Sequence, residues 1–128
     1  LSRVNRISAI LERHAGLDLS GDDIYINVAG GMKIKEGSVD LAVALALYSS
    51  KTDIPLSSSL ASFGELSLAG EVRPVTFSQR RLRTLTEMGF SKTIVSIGTE
   101  KVGGSQSENV KDVRSAVIAA FKGRKKNK

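Results

Sequence analysis

The 128-residue sequence contains no cysteine and no tryptophan, a single histidine and two prolines, and only 5% of it is aromatic. Without cysteine there is neither a disulfide nor a thiolate metal site. With only His14, beside a helix end, a Ser-His-Asp arrangement has little to draw on. No apolar run reaches the roughly 18 residues of a membrane span, and the opening LSRVNR has neither the apolar core nor the cleavage pattern of a signal peptide. Several ligand motifs fail as well. GFSKT at Gly89–Thr93 lacks the glycine before lysine and the long loop that cradles phosphates, so the chain is not expected to bind ATP by itself. DLSGDD spaces Asp18, Ser20 and Asp22 like calcium ligands, yet position six is Asp23 and position twelve is Ala29. No G-x-S-x-G is present.

What is there reads as one globular domain, with 41% hydrophobic and 25% charged residues. It starts without methionine inside a helical pattern, as a piece cut from a longer protein would. The formal charge of +6 is unevenly placed. The last seven residues, KGRKKNK, hold five cations, which leaves +1 for the rest, so the division is a folded body over 1–121 and a basic, disordered tail over 122–128.

Val4, Ile7, Ile10 and Leu11 have helical spacing, closed by Gly16. DIYINVA alternates Ile24, Ile26 and Val28 against Tyr25 and Asn27 as a half-buried strand; Gly30-Gly31 reverse the chain rather than cradle phosphate, and MKIK resumes an extended path. VDLAVALALY is apolar nearly all round, as in a helix covered on both sides. ASFGELSL and EVRPV flank Ala69-Gly70 as a hairpin. Ser78 is placed to cap a helix, with Phe77 and Leu82 as a hydrophobic staple and Leu82, Leu85 and Met88 inward. KTIVSI reads as a buried strand, VGGSQSEN as a loop, and VKDVRSAVIAAF as a helix with Val113, Val117 and Ile118 inward. A layered α/β or α+β domain follows.

The segments INVAGGMKIKEGSVDLAVALALYSSKTDIPL, FGELSLAGEVRPV and GFSKTIV together resemble the C-terminal Lon-protease-like domain of the bacterial RadA (Sms) family of DNA repair proteins, over about residues 4–121. The resemblance implies an α+β fold like the Lon proteolytic domain and ribosomal protein S5 domain 2, with helices on a mixed sheet. It also implies a bacterial, nucleoid-associated cytoplasmic protein, or an organellar one in a eukaryote. Further implied are a hexameric ring and a parent chain whose zinc finger and RecA-like ATPase core, absent from this sequence, would hold Zn, ATP and Mg. The family's DNA partner and role in branch migration complete the expectation.

Active Lon proteases pair a nucleophilic serine with a lysine base, and the resemblance puts Ser38 at the first position and Gln79 at the second. An amide is no base, and guanidinium groups beside it stay protonated, so the site is expected to be degenerate and the domain inactive. Ser38 reads instead as a helix N-cap, with Asp40 adding favourable charge. Between Glu71 and Lys92 five cations face two acids, a net of +3. Arg80 and Arg81 occupy a helix start, where the macrodipole disfavours them, and with Arg83 they lie off the apolar stripe, toward solvent or a partner. The simplest alternative is a solvated face with an Arg83–Glu87 pair. Arg73, Arg80, Arg81 and Arg83, with Lys33, Lys35 and Lys92, are the candidates for contact with DNA phosphates. The scarcity of aromatics argues against base stacking as the dominant mode. A non-catalytic DNA-binding and ring-assembly domain is the expected function; a residual serine peptidase and a pure oligomerisation scaffold are the alternatives.

Overall fold

A computed structural model describes residues 3–27 and 36–127. Their elements are α1 (Arg3–His14), a short 3₁₀ turn (Gly37–Val39), α2 (Asp40–Thr52), β1 (Leu60–Ser62), β2 (Glu65–Leu66), β3 (Val72–Arg73), α3 (Ser78–Glu87), β4 (Lys92–Ser96), β5 (Ser107–Val110) and α4 (Val113–Phe121). β4 lies between β1 and β5 in a three-stranded parallel sheet, with Ala61 opposite Thr93 and Ile94 opposite Glu108. β2 and β3 form a separate antiparallel hairpin, Glu65 opposite Arg73 and Leu66 opposite Val72. The domain is therefore α+β, and the expected mixed sheet resolves into a parallel sheet and a hairpin. Joining parallel strands requires a long crossover, and between β1 and β4 the hairpin and α3 supply it.

Alternation along β4 assigns the layers. Ile94 enters the larger core, with Ile7, Ile10 and Leu11 of α1, Leu41, Ala44 and Leu45 of α2, and Val113, Ala116 and Ala120 of α4. Val95 points to the other face, where it meets Phe63 and Leu82 of α3. The sheet thus separates α1, α2 and α4 from α3. Tyr48 and Phe121, ring centroids 5.0 Å apart, close the larger core between α2 and α4.

Buried polar bonds fasten the layers together. Asp40, 1% exposed, pairs with Arg3 at 2.7 Å and accepts the Leu66 N–H at 3.0 Å, so one carboxylate ties α1, α2 and the hairpin. The Ser38 carbonyl accepts from Gly64 N–H and the Gly64 carbonyl from Leu41 N–H, both at 3.0 Å. At the hairpin turn Gly70 has φ +82° and lies so close to the His14 ring that a Cβ would approach within 2.8 Å. Glycine is required there on both counts. His14 is half-buried, with its Nε2 3.1 Å from the Leu68 carbonyl oxygen.

Several expectations are corrected. Residues 22–27 form no strand, and Tyr25 is 89% exposed. Alternation specifies a strand only where a neighbour completes its hydrogen bonds. Val28, Gly30-Gly31 and MKIK, including Lys33 and Lys35, lie outside the described residues. ASFGELSL divides between the two sheets, its Leu60–Ser62 neighbour pairing with β4 rather than entering the hairpin. The reading of VGGSQSEN as loop missed β5, whose polar residues are held by parallel pairing and by Asn109 Nδ2, which donates to the Ser96 and Thr99 carbonyls at 3.1 and 3.0 Å. α2 leaves Ala42, Ala46 and Ser50 exposed on one narrow stripe instead of being covered all round. Met88 and Ile118 are exposed, not inward.

Candidate nucleic-acid interface

α3 begins without a side-chain cap. Phe77 precedes it at φ 59°, and Ser78, expected as the cap, instead donates its hydroxyl to the Val75 carbonyl at 2.6 Å. The expected staple is absent too, because Phe77 is 67% exposed while Leu82 is fully buried. Leu82 fixes the helix rotation. With it inward, Arg80 and Arg83 are exposed on the outer side and Arg81 is brought to the flank.

That flank meets the mouth of α2. Arg81 donates from Nη2 to Glu36 at 2.6 Å, from Nη1 to Ser38 Oγ at 3.4 Å and from Nε to the Thr76 carbonyl at 2.9 Å. Arg81 lies to one side of the helix as expected, but it is half-buried and spent on internal bonds rather than facing solvent or a partner. Ser38, 94% buried within the 3₁₀ turn, does not cap α2. Its N-cap reading fails because the 3₁₀ turn puts Val39 at the cap position. Asp40, expected to add favourable charge at the helix start, stands in the first turn of α2 and is buried in the ion pair with Arg3. The Arg81 guanidinium first, and then the Ser38 hydroxyl, hold the Glu36 carboxyl below its usual range. A carboxylate stabilised in this way is a weak base. Gln79, expected as the second member of a degenerate pair, points elsewhere, its amide donating to Glu100 at 2.6 Å.

The other candidate residues divide between two faces. Arg80 and Arg83, with Pro74, Phe77, Gln79 and Glu100, border a groove of about 500 Å³ between the start of α3 and the turn after β4. Among the described residues Arg83 and Glu87 form no ion pair, so the i, i+4 contact of the alternative reading is absent, and Arg80 lies over the Phe77 ring at 5.1 Å. Arg73 pairs with Glu71 at 3.1 Å on the exposed side of the hairpin. Lys92 belongs to a different surface, pairing with Glu108 at 2.9 Å and reaching the Ala119 carbonyl at the end of α4. It borders a second groove with Ser57, Ser59, Ser91, Lys122 and Arg124. The basic tail is tied down beside it: Arg124 Nε donates to the Pro55 carbonyl at 2.6 Å, and Asn127 N–H to the Asp53 carbonyl at 2.7 Å. Sequence reasoning overlooked Phe77 as a surface residue and Glu100 as a wall of the first groove. Neither carries a local signal; both are placed by the rotation of α3 and the turn after β4.

Among the described residues no cluster of three or more His, Cys, Asp or Glu side chains is arranged to hold a metal ion, and no helix is long and apolar enough to cross a membrane.

The family model described as subunit ChlI of Mg-chelatase matches residues 2–99. The chain is 46% identical over 99 residues to the DNA repair protein RadA of Treponema pallidum, covering 77% of this chain and 22% of that one. It is 40% identical over 118 residues to RadA of Haemophilus influenzae, covering 92% and 26%, and 45% identical over 94 residues to RadA of Escherichia coli, covering 73% and 20%. It spans about a quarter or less of the length of these relatives. The chain belongs to the ChlI family, and its sequence is that of a RadA-like domain.

Proposed function

We propose that this chain is a non-catalytic DNA-binding and assembly domain of a RadA-like DNA repair ATPase, with a Lon-type fold and working in a ring. The observation that carries the reading is the pair Arg80 and Arg83, exposed beside the start of α3 without a carboxylate partner among the described residues. Arg80, in the first turn, opposes the helix dipole and lies over an exposed ring rather than against the core, which fits a surface kept for a polyanion. Arg73 extends the surface along the hairpin. Arg81 is withdrawn from the contact set, and Lys92 with Lys122 and Arg124 forms a second basic face. Lys33 and Lys35 stay as candidates from the sequence alone.

The arrangement at Ser38 supports inactivity. Of the groups bonded to its hydroxyl, Arg81 is a permanent cation and Glu36 is already paired with that cation. Neither supplies the base a serine nucleophile needs. Covalent labelling of Ser38 by a fluorophosphonate would restore the peptidase alternative. Zinc, ATP and magnesium belong, in this proposal, to the other parts of a RadA-like parent.

A salt titration tests the DNA reading. Arg80→Gln with Arg83→Gln should shrink the slope of log affinity against log salt by about 0.9 per lost phosphate contact on duplex, or about 0.7 on single strands, similarly for unrelated sequences. The comparison is made with residues 122–128 present and deleted, so that the tail's contribution is separated. An unchanged slope in the tail-deleted pair would remove these arginines as the DNA site and favour the scaffold.

A further inference from the structure

Packing does not account for the ring of Phe77. The residue holds a left-handed φ of 59°, which bulky L side chains rarely adopt, and its ring is left 67% exposed. An unfavourable backbone state maintained without burial is the kind of outlier from which a functional role is inferred. Arg80 covers the ring from 5.1 Å, and the same residues border the groove that holds Arg83, Ser78 and Thr99. Thr99 is 92% buried, and its Oγ1 has no hydrogen-bond partner among the described residues. On the groove's other side Glu100 is fixed by Gln79 at 2.6 Å, placing a negative charge opposite the arginines.

We propose that this groove takes single-stranded DNA, one base stacking on Phe77 and the flanking phosphates lying on Arg80 and Arg83. This deepens the DNA-binding reading, on which it rests, by assigning the strand type. Bases within a duplex are stacked on each other and offer no face to a protruding ring. An unpaired strand offers one at every nucleotide, whatever its sequence. Arg80 suits a place beside the ring, since its planar guanidinium stacks on an aromatic face and still donates to phosphate. Glu100 repels phosphate from its side, so the backbone follows α3. Few aromatics are needed: one exposed ring within a basic rim serves one base.

The absence of tryptophan from the sequence supplies a direct probe. Phe77→Trp puts a single indole at the proposed stacking position, and titrating the full chain with oligothymidylate should quench its emission, whereas a blunt duplex of equal length should not. Phe77→Ala should weaken oligothymidylate binding by about five- to 150-fold and leave the salt slope unchanged, because no phosphate contact is lost. Phe77→Leu, which keeps apolar bulk without a π-face, should weaken it similarly. Unquenched tryptophan at saturating oligonucleotide, or Phe77→Ala binding as tightly as the parent, overturns the stacking site. The DNA reading then still stands if Arg80→Gln with Arg83→Gln lowers the slope. If the unaltered chain binds neither strand form, both proposals fall together.

Discussion

α3 and α4 begin in opposite ways. At α4 the side chain of Asp112 accepts the Ser115 N–H at 2.7 Å, an acid at the positive end of the helix dipole. At α3 no side chain caps the first turn, the preceding residue is conformationally unfavourable, and two of the first four residues are arginines. α2 sides with α4, its first-turn acid Asp40 drawn inward to hold three elements. The first turn of α1 also holds arginines and no acid, but Arg3 and Arg6 bond inward to Asp40 and the Leu66 carbonyl. Arg80 at the start of α3 has no carboxylate partner among the described residues, and that contrast says more about the surface than the total charge does.

Three substitutions act on this contrast, in falling order of effect. Asp40→Ala should be the most damaging, costing roughly 3–5 kcal/mol in denaturant unfolding, because it strands Arg3 and leaves the Leu66 N–H unpaired inside the fold. A loss below about 1 kcal/mol would show that Asp40 does not fasten the three elements.

Asp112→Ala should cost about 0.5–2 kcal/mol at neutral pH. The Ser115 side-chain and backbone bonds hold the folded Asp112 carboxyl below its ordinary 3.8. Its contribution is therefore complete above about 3.8 and disappears as the pH falls through the lower folded value. The gap between variant and parent should narrow over that acidic window and stay constant from pH 5 to 7.

Arg80→Glu makes the start of α3 resemble that of α4. Stability should rise by about 0.3–1 kcal/mol while polyanion affinity falls, and the two effects must carry opposite signs. A variant that is less stable and binds as before would erase the distinction between the two helix starts.

The sequence carries the helices more clearly than the strands. α1, α3 and α4 declare themselves by apolar spacing and α2 by a run that is apolar nearly all round, signals that depend only on local order. β5 is hidden because Ser107, Glu108 and Asn109 are polar and become a strand only beside β4. The DIYIN segment errs in the other direction, alternating without a partner strand among the described residues. In the candidate site, the charges of Arg80 and Arg83 can be read from the chain. The capture of Arg81 by Glu36 and Ser38 cannot, since it depends on the rotation of α3 against a turn more than forty positions away.

The basic tail, tied through Arg124 to Pro55 and through Asn127 to Asp53, changes the character of its charges. A free cationic arm samples a wide volume and touches polyanions in many registers. A segment moored at two points beside the end of α2 instead presents Lys122 and Arg124 at fixed positions next to Lys92 and the serines of the second groove. Lys122 and Arg124 then form one patch with Lys92, and removing the segment takes away part of the wall as well as the charge.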